Sequence, residues 1–270
     1  MSLLRIIVGG GITATVLLMA AVSLLWTPYA PTGIDILHRL AGPSSAHPFG
    51  TDPFGRDVLS MIMVGAQNSL VVAAVAVALG CVIGVPVGLI AAARRGWTEE
   101  VLMRGADLAF AFPALLTAVM LTALRGPGAY TAMVAIGIFT APVLARVTRA
   151  AASVIWVQDF ARAARALGRG KPGVTMVHIL PNITGVLIVQ ITIQLSLAVL
   201  AEAALSFVGL GAQPPMPSWG RMLNDAQTYI YTAPLLSVFP GFAIAAAVLG
   251  LNMLGDGLRD VFDLKRRRRA

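Results

Sequence analysis

Several groups of side chains in this sequence are of types that do chemistry. His47, Asp52, Arg56 and Asp57 crowd into His47-Pro-Phe-Gly-Thr-Asp-Pro-Phe-Gly-Arg-Asp57. Histidine and carboxylates bind zinc or nickel, but Gly50 and Gly55 flanking Pro53 also spell a tight turn stabilised by aspartate side chains. The turn reading is preferred, and with it a docking or capping element. Asp107, His178 and Glu202 are ionisable groups in or beside apolar stretches. A membrane-embedded enzyme needs such groups gathered at one depth, and these fall at different depths. Cys81 is the single cysteine and sits in an apolar run, which excludes an intramolecular disulfide and suggests packing. No glycine-rich loop ending in Lys-Ser or Lys-Thr is present, so the chain cannot cradle nucleotide phosphates in a P-loop of its own.

The elements that must position these groups are membrane helices. Of 270 residues, 57% are hydrophobic and 12% charged, about half the charged fraction of soluble domains. Mean hydropathy is +0.82. Hydropathy predicts about six spans: Ile6 to Trp26, Ser69 to Ala92, Val101 to Leu124, Thr131 to Ala151, Ile183 to Phe207 and Ala233 to Leu254. Continuously apolar runs of this length are too long for barrel strands, so the expected class is all-α. The first span lacks a cleavage signature and reads as retained. The formal net charge of +8 would suggest nucleic acid on a soluble domain, but the basic residues flank apolar segments. With the N-terminus inside, sixteen of the twenty Lys and Arg fall inside, leaving Arg39, Arg56, Arg125 and Arg221 outside. The positive-inside rule therefore puts both termini in the cytoplasm. The Arg266 to Arg269 run then serves topology and anionic lipid, with no nucleic-acid role.

Two segments between spans are long enough for specific work. Thr27 to Asn68 lies outside, so that residues 1–68 form an N-terminal helix plus periplasmic segment and 69–270 a five-helix core. The inner segment, about 151–182, is basic and helical up to a break at Gly170-Lys171-Pro172-Gly173. In it, Ala163 with Leu167 and Ala164 with Gly168 lie four apart and give a short helix a face of small side chains. Glu202 lies about twenty residues, or about 30 Å, into its span and near the outer edge; it reads as a structural hydrogen-bonding group or as a gate or pathway residue. Arg104 and Asp107, three apart, suggest a local ion pair. Pro113 and Pro142 lie within spans as bends or hinges. Trp219, with Tyr229 or Tyr231, fits an interfacial belt or a contact to an external protein.

The inner segment resembles the EAA loop of bacterial ABC importer permeases. That pattern is Glu-Ala-Ala, three residues, Gly, nine residues, then Ile-x-Leu-Pro; Ala163, Ala164, Gly168, Leu180 and Pro181 match it in register. Arg162 stands where the pattern has Glu, and His178 where it has Ile. Further stretches are similar to the C-type subunit of the oligopeptide/dipeptide/nickel group. These are Gly50 to Asp57, Arg104 to Asp107 with Ala111-Phe-Pro113, Ala201 to Gly211, Ala212 to Pro215 with Trp219-Gly220, and Leu251 to Asp260. The resemblance implies a type I importer permease, non-catalytic and without a cofactor of its own, forming half of a pathway for di- or oligopeptides or for nickel or a metal chelate. It implies a second, homologous permease as heterodimer partner and two ATPase subunits that bind ATP and Mg. It also implies an external solute-binding protein. Ala163, Ala164, Leu167, Gly168, Leu180 and Pro181 would form the ATPase-coupling loop. Asp52, Gly55, Arg56, Asp57 and Trp219 would dock or gate on the outside, with Glu202 in the pathway. An ATP-independent channel or carrier is the rival from another class.

Overall fold

A computed structural model describes the backbone of residues 2–111 and 114–267 and the side chains of residues 3–110 and 116–262. Its helices are α1 (Ser2–Val22), α2 (Val58–Ala93), α3 (Trp97–Ala111), α4 (Ala114–Arg125), α5 (Ala129–Trp156), α6 (Asp159–Ala166), α7 (Lys171–Val174), α8 (Leu180–Phe207), α9 (Trp219–Ala226) and α10 (Leu235–Arg267). Among the described residues there is no sheet, only an isolated bridge between Thr51 and Asp57. Among the described residues, five helical stretches are long and apolar enough to cross a membrane. The third expected span, Val101 to Leu124, falls on α3 and α4, and Pro113 lies outside the described residues.

Close backbone approach holds the bundle together. Bilayer-spanning helices gain little from hiding apolar surface from lipid that is itself apolar, so van der Waals packing at small residues carries association. Gly80, Gly84 and Gly88 recur every four residues on the face of α2 that meets α5. A Cβ at Gly84 would lie 2.3 Å from the Ala141 carbonyl oxygen, and one at Gly88 2.4 Å from that of Ala145. The N-terminal helix docks on α10 in the same way. A Cβ on Gly9 would meet the Leu254 nitrogen at 2.6 Å, and one on Gly257 would meet Ile6 Cγ1 at 2.4 Å. Arg5 and Asp260 add an ion pair at 3.7 Å.

Two helix starts differ from expectation. Hydropathy starts the second span at Ser69, but α2 begins at Val58, where Asp57 caps it by accepting from the Ser60 amide at 2.8 Å. Gln67 and Asn68 end the apolar window without ending the helix, because their amides find partners. Asn68 Nδ2 donates to the Pro217 carbonyl at 2.7 Å, and Gln67 Oε1 accepts from Ser23. The connection before α2 therefore ends at Asp57. Likewise the fifth span, expected from Ile183, starts at Lys171: one helical stretch runs from Lys171 to Phe207. Pro172 sits in its first turn, where the missing N–H costs nothing. Ahead of Pro181 the chain widens into a π turn, Thr175–Ile179, in which the Leu180 amide donates to the Thr175 carbonyl. The Asn182 side chain donates to the His178 carbonyl at 2.7 Å.

The expected Arg104–Asp107 pair does not form. Arg104 pairs with Glu100 at 2.6 Å, the i,i+4 spacing with the acid N-terminal that a helix favours. Asp107 instead reaches Arg146 and Glu99 reaches Arg149, both on α5, so these acids fasten α3 to α5. Arg146 also lies over the Phe110 ring, 4.4 Å from its centroid.

Candidate functional site

The inner segment folds into a small projecting device. Helix α6 starts after Gln158, with Asp159 in its first turn where an acid suits the helix dipole. It ends in a Schellman motif. The Gly168 amide donates to the Arg165 carbonyl at 3.0 Å and the Arg169 amide to the Ala164 carbonyl at 3.2 Å. Gly168 takes φ +87°, the left-handed conformation the motif requires, and a Cβ there would meet no atom within 4 Å. Leu167 is therefore the helix cap and Gly168 lies beyond the helix. The expected face pairing Ala164 with Gly168 gives way to a turn, because the glycine reverses the chain.

What anchors this device is one small side chain. Ala161 is fully buried in a cluster with Leu89 and Ala92 of α2, Ile155 and Trp156 of α5, and Val174 and Ile179 beyond the turn. The opposite side is open. Ala163, Gly168 and Pro181 are exposed, Leu167 is 88% exposed, and Ala164 and Leu180 are half-buried. Leu167 is thus an exposed apolar side chain held out by a capped turn, on a segment that also carries the exposed Arg162, Arg165 and Arg169. His178 lies beside this turn, its Nε2 3.1 Å from an Arg169 guanidinium nitrogen.

At the far end the outer segment folds back onto the head of α2. Asp52 is buried and accepts from the Phe54 and Arg56 amides, each at 2.8 Å, and pairs with the Arg56 side chain at 2.6 Å. Gly55 has φ +76°, and a Cβ there would fall 1.7 Å from the Asp35 carbonyl oxygen. Asp57 is buried, accepting from Ser60 and facing His47 Nδ1 at 3.0 Å. Asp52, Gly55 and Asp57 thus build a turn, as the aspartate reading expects, and the exposed side chain of that turn is Phe54. Among the described residues no three His, Cys, Asp or Glu are grouped to hold a metal.

Trp219, expected on a belt or docking surface, is fully buried. Its Nε1 donates to the Ile62 carbonyl at 3.1 Å and its ring packs against Gly65. Gly220 lets it in: a Cβ there would lie 2.2 Å from the Ala203 carbonyl oxygen. Nearby, Glu202 is 1% exposed and accepts from Ser206 Oγ at 2.7 Å. Ser206 Oγ in turn accepts from the Ala212 amide at 3.0 Å. The hydroxyls of Ser69 on α2 and Ser218 before α9 are close to the same carboxyl group. Glu202 Oε2 itself has no hydrogen-bond partner among the described residues, so this knot of α8, α2 and α9 is held by a hydrogen bond at Oε1 and by packing. Tyr229 is half-buried and Tyr231 almost wholly exposed.

Between the outer turn and α9 opens a cleft of about 250 Å3, lined by Asp52, Phe54, Arg56, Met222, Asp225 and Tyr229. Asp225 pairs with Arg221 at 3.0 Å. Burial pushes its carboxyl above the usual range, while Arg221 and Arg56 pull the other way. Asp35, on the exposed outer segment, is held below that range by its hydrogen bond with His38.

The sequence reading passed over the glycines of α2 and the Arg146 and Arg149 clasps. The signal was there in Gly80-x-x-x-Gly84-x-x-x-Gly88 within an apolar stretch, a spacing that marks a close helix contact.

With this geometry in hand, comparison with known proteins is specific. The family described as binding-protein-dependent transport system inner membrane component matches residues 84–268. The dipeptide transport system permease protein DppC of Alkalihalophilus pseudofirmus is 41% identical over 259 residues, covering 96% of this chain and 85% of that protein. The glutathione transport system permease protein GsiD of Pectobacterium atrosepticum is 39% identical over 255 residues, covering 93% and 84%. Among solved structures, an inward-facing form of the MetNI methionine ABC transporter aligns with a TM-score of 0.63 at 21% identity, over 74% of this chain and 96% of that one. That likeness carries the fold alone.

Proposed function

Because this chain belongs to the family of binding-protein-dependent transport system inner membrane components, and so is a permease component of an ABC importer, we propose that its cargo is a short peptide and that α6 is where ATPase partners grip it. The cargo reading rests on relatives named for dipeptide and glutathione transport, each about 40% identical over more than 90% of the chain; these names favour peptides over nickel. The coupling reading rests on one observation: Leu167 and Gly168 project from a rigidly capped turn whose root, Ala161, is locked into α2, α5 and the start of the fifth span. A force on that turn passes into three membrane helices through packed contacts, as coupling between distant sites requires.

On this reading the chain forms half of a pathway beside a second permease. Two ATPase subunits bind ATP and Mg and do the hydrolysis, so this chain is non-catalytic. An external binding protein delivers cargo to the face bearing the outer turn and the 250 Å3 cleft, Phe54 and Arg56 are its contact candidates, and Trp219 and Glu202 hold that face in shape. Both termini lie in the cytoplasm, following the charge asymmetry.

The deciding experiment is reconstitution of the full complex in vesicles with labelled dipeptide outside. Uptake should require both ATP within and the binding protein without. Uptake that persists without the ATPase subunits would instead establish a carrier, and uptake of a nickel chelate in place of dipeptide would overturn the cargo assignment.

A further inference from the structure

A groove at the α6 end of the bundle has no part in the coupling scheme. It lies between the last turns of α2 and the start of α7, with a volume of about 420 Å3, within the roughly 300–1,000 Å3 range of small-molecule sites. Pro86 and Ile90 form one wall and Pro172 and Met176 the other, while Arg94 and Lys171 stand at the rim. Ile90 is 45% and Met176 61% exposed. Both cations are exposed, and among the described residues neither has an ion-pair or side-chain hydrogen-bond partner.

The order of these groups along the bundle is what identifies an occupant. At 1.5 Å per residue, Pro86 lies about 12 Å deeper along α2 than Arg94, and Met176 about 7 Å deeper than Lys171. Charge therefore sits where α2 and the fifth span reach the membrane surface, and apolar wall runs from there toward the bilayer centre. That is the head-to-tail order of a phospholipid. No carboxylate lines the groove to meet a choline or ethanolamine ammonium, whereas a guanidinium and an ammonium both suit phosphate. We propose that this groove seats one anionic phospholipid, its phosphate between Arg94 and Lys171 and one acyl chain along Pro86, Ile90 and Met176. The lipid would bridge α2 to the helix that follows the α6 turn, bracing the turn from the side opposite its exposed face.

The test uses the assembled complex, purified in detergent with phosphatidylglycerol and phosphatidylcholine in equal amounts, and counts retained lipid by native mass spectrometry without ATP or peptide. Phosphatidylglycerol should be retained in preference to phosphatidylcholine. Arg94→Gln with Lys171→Gln should lower its retention about thirtyfold, each cation near an anionic headgroup contributing about fivefold. Ile90→Trp, which fills the groove and leaves both charges, should also displace it. Arg95→Gln, one residue outside the lining, should change nothing. Equal retention of the two lipids, or undiminished phosphatidylglycerol in the double variant, would overturn the proposal. So would a photo-crosslinker at position 90 that labels another subunit and no lipid. None of these readouts depends on cargo or coupling, so their failure leaves the importer reading standing.

Discussion

Replacing Gly168 by alanine and, separately, by tryptophan distinguishes a turn that merely exists from a turn that is gripped. The residue holds φ +87° with open space around its would-be Cβ. Any L side chain therefore incurs the same backbone cost, about 1–2 kcal/mol for the left-handed region, and its Cβ clashes with nothing in this chain. That cost loosens the Schellman turn roughly tenfold. It should lower the melting temperature only slightly, since Ala161 and its cluster hold the root of α6. The two variants should accordingly melt together in the isolated permease. In the assembled importer they should part. If an ATPase groove closes over Leu167 and Gly168, alanine fits and tryptophan does not; overpacking of about 1–3 kcal/mol at a contact formed in every cycle should cut binding-protein-stimulated ATP hydrolysis and uptake by one to two orders of magnitude. The assay is stimulated hydrolysis and dipeptide uptake by reconstituted complexes, with the melting temperatures as control. Tryptophan performing like alanine would refute the coupling role of this turn.

Other outcomes follow from the same geometry. Gly84→Val should push α2 off the Ala141 carbonyl and lower the detergent melting temperature by more than a typical overpacking change. Gly105→Ala, in an exposed helical position with nothing within 4 Å, should be neutral or stabilising by about 0.5–1 kcal/mol. Glu202→Gln keeps an acceptor for Ser206 and should fold normally, whereas Glu202→Ala strands a buried hydroxyl and should cost about 1–3 kcal/mol; a wild-type melting curve for the alanine variant would remove the knot. Asp225 has its folded pKa raised by burial, so its share of stability is full below the ordinary value of 3.8 and lost as pH rises through the raised value. Asp225→Asn should therefore flatten the pH dependence of the outer cleft's stability, raising it near neutrality and leaving it unchanged below pH 3.8, as hydrogen exchange of α9 amides would report.

The membrane class and the all-helical architecture needed no coordinates. A helix in lipid has to bring its own apolar length, and hydropathy counts that directly. Gly168, by contrast, reads from its spacing as part of a helix face with Ala164, and only the structure shows it at φ +87° as the left-handed residue of a Schellman turn. Spacing likewise marked Ala163 to Pro181 as a segment with a purpose. Tertiary structure decided everything that depends on which residues meet. Trp219 looks like a belt residue in sequence and proves to be buried, because Gly65 leaves room for its ring and Gly220 lets the start of α9 close onto Ala203 of α8. Asp107 prefers Arg146 on α5 to its own helical neighbour, since α5 brings that guanidinium within reach and Arg104 is already held by Glu100. Helix starts at Val58 and Lys171 escaped hydropathy because caps and amide partners, not apolar length, fix where a helix begins. Periodicity reports one helix at a time. Pairing is a property of the assembled bundle, and only the bundle shows that Asp52, Asp57 and Glu202 are buried and which groups they accept from.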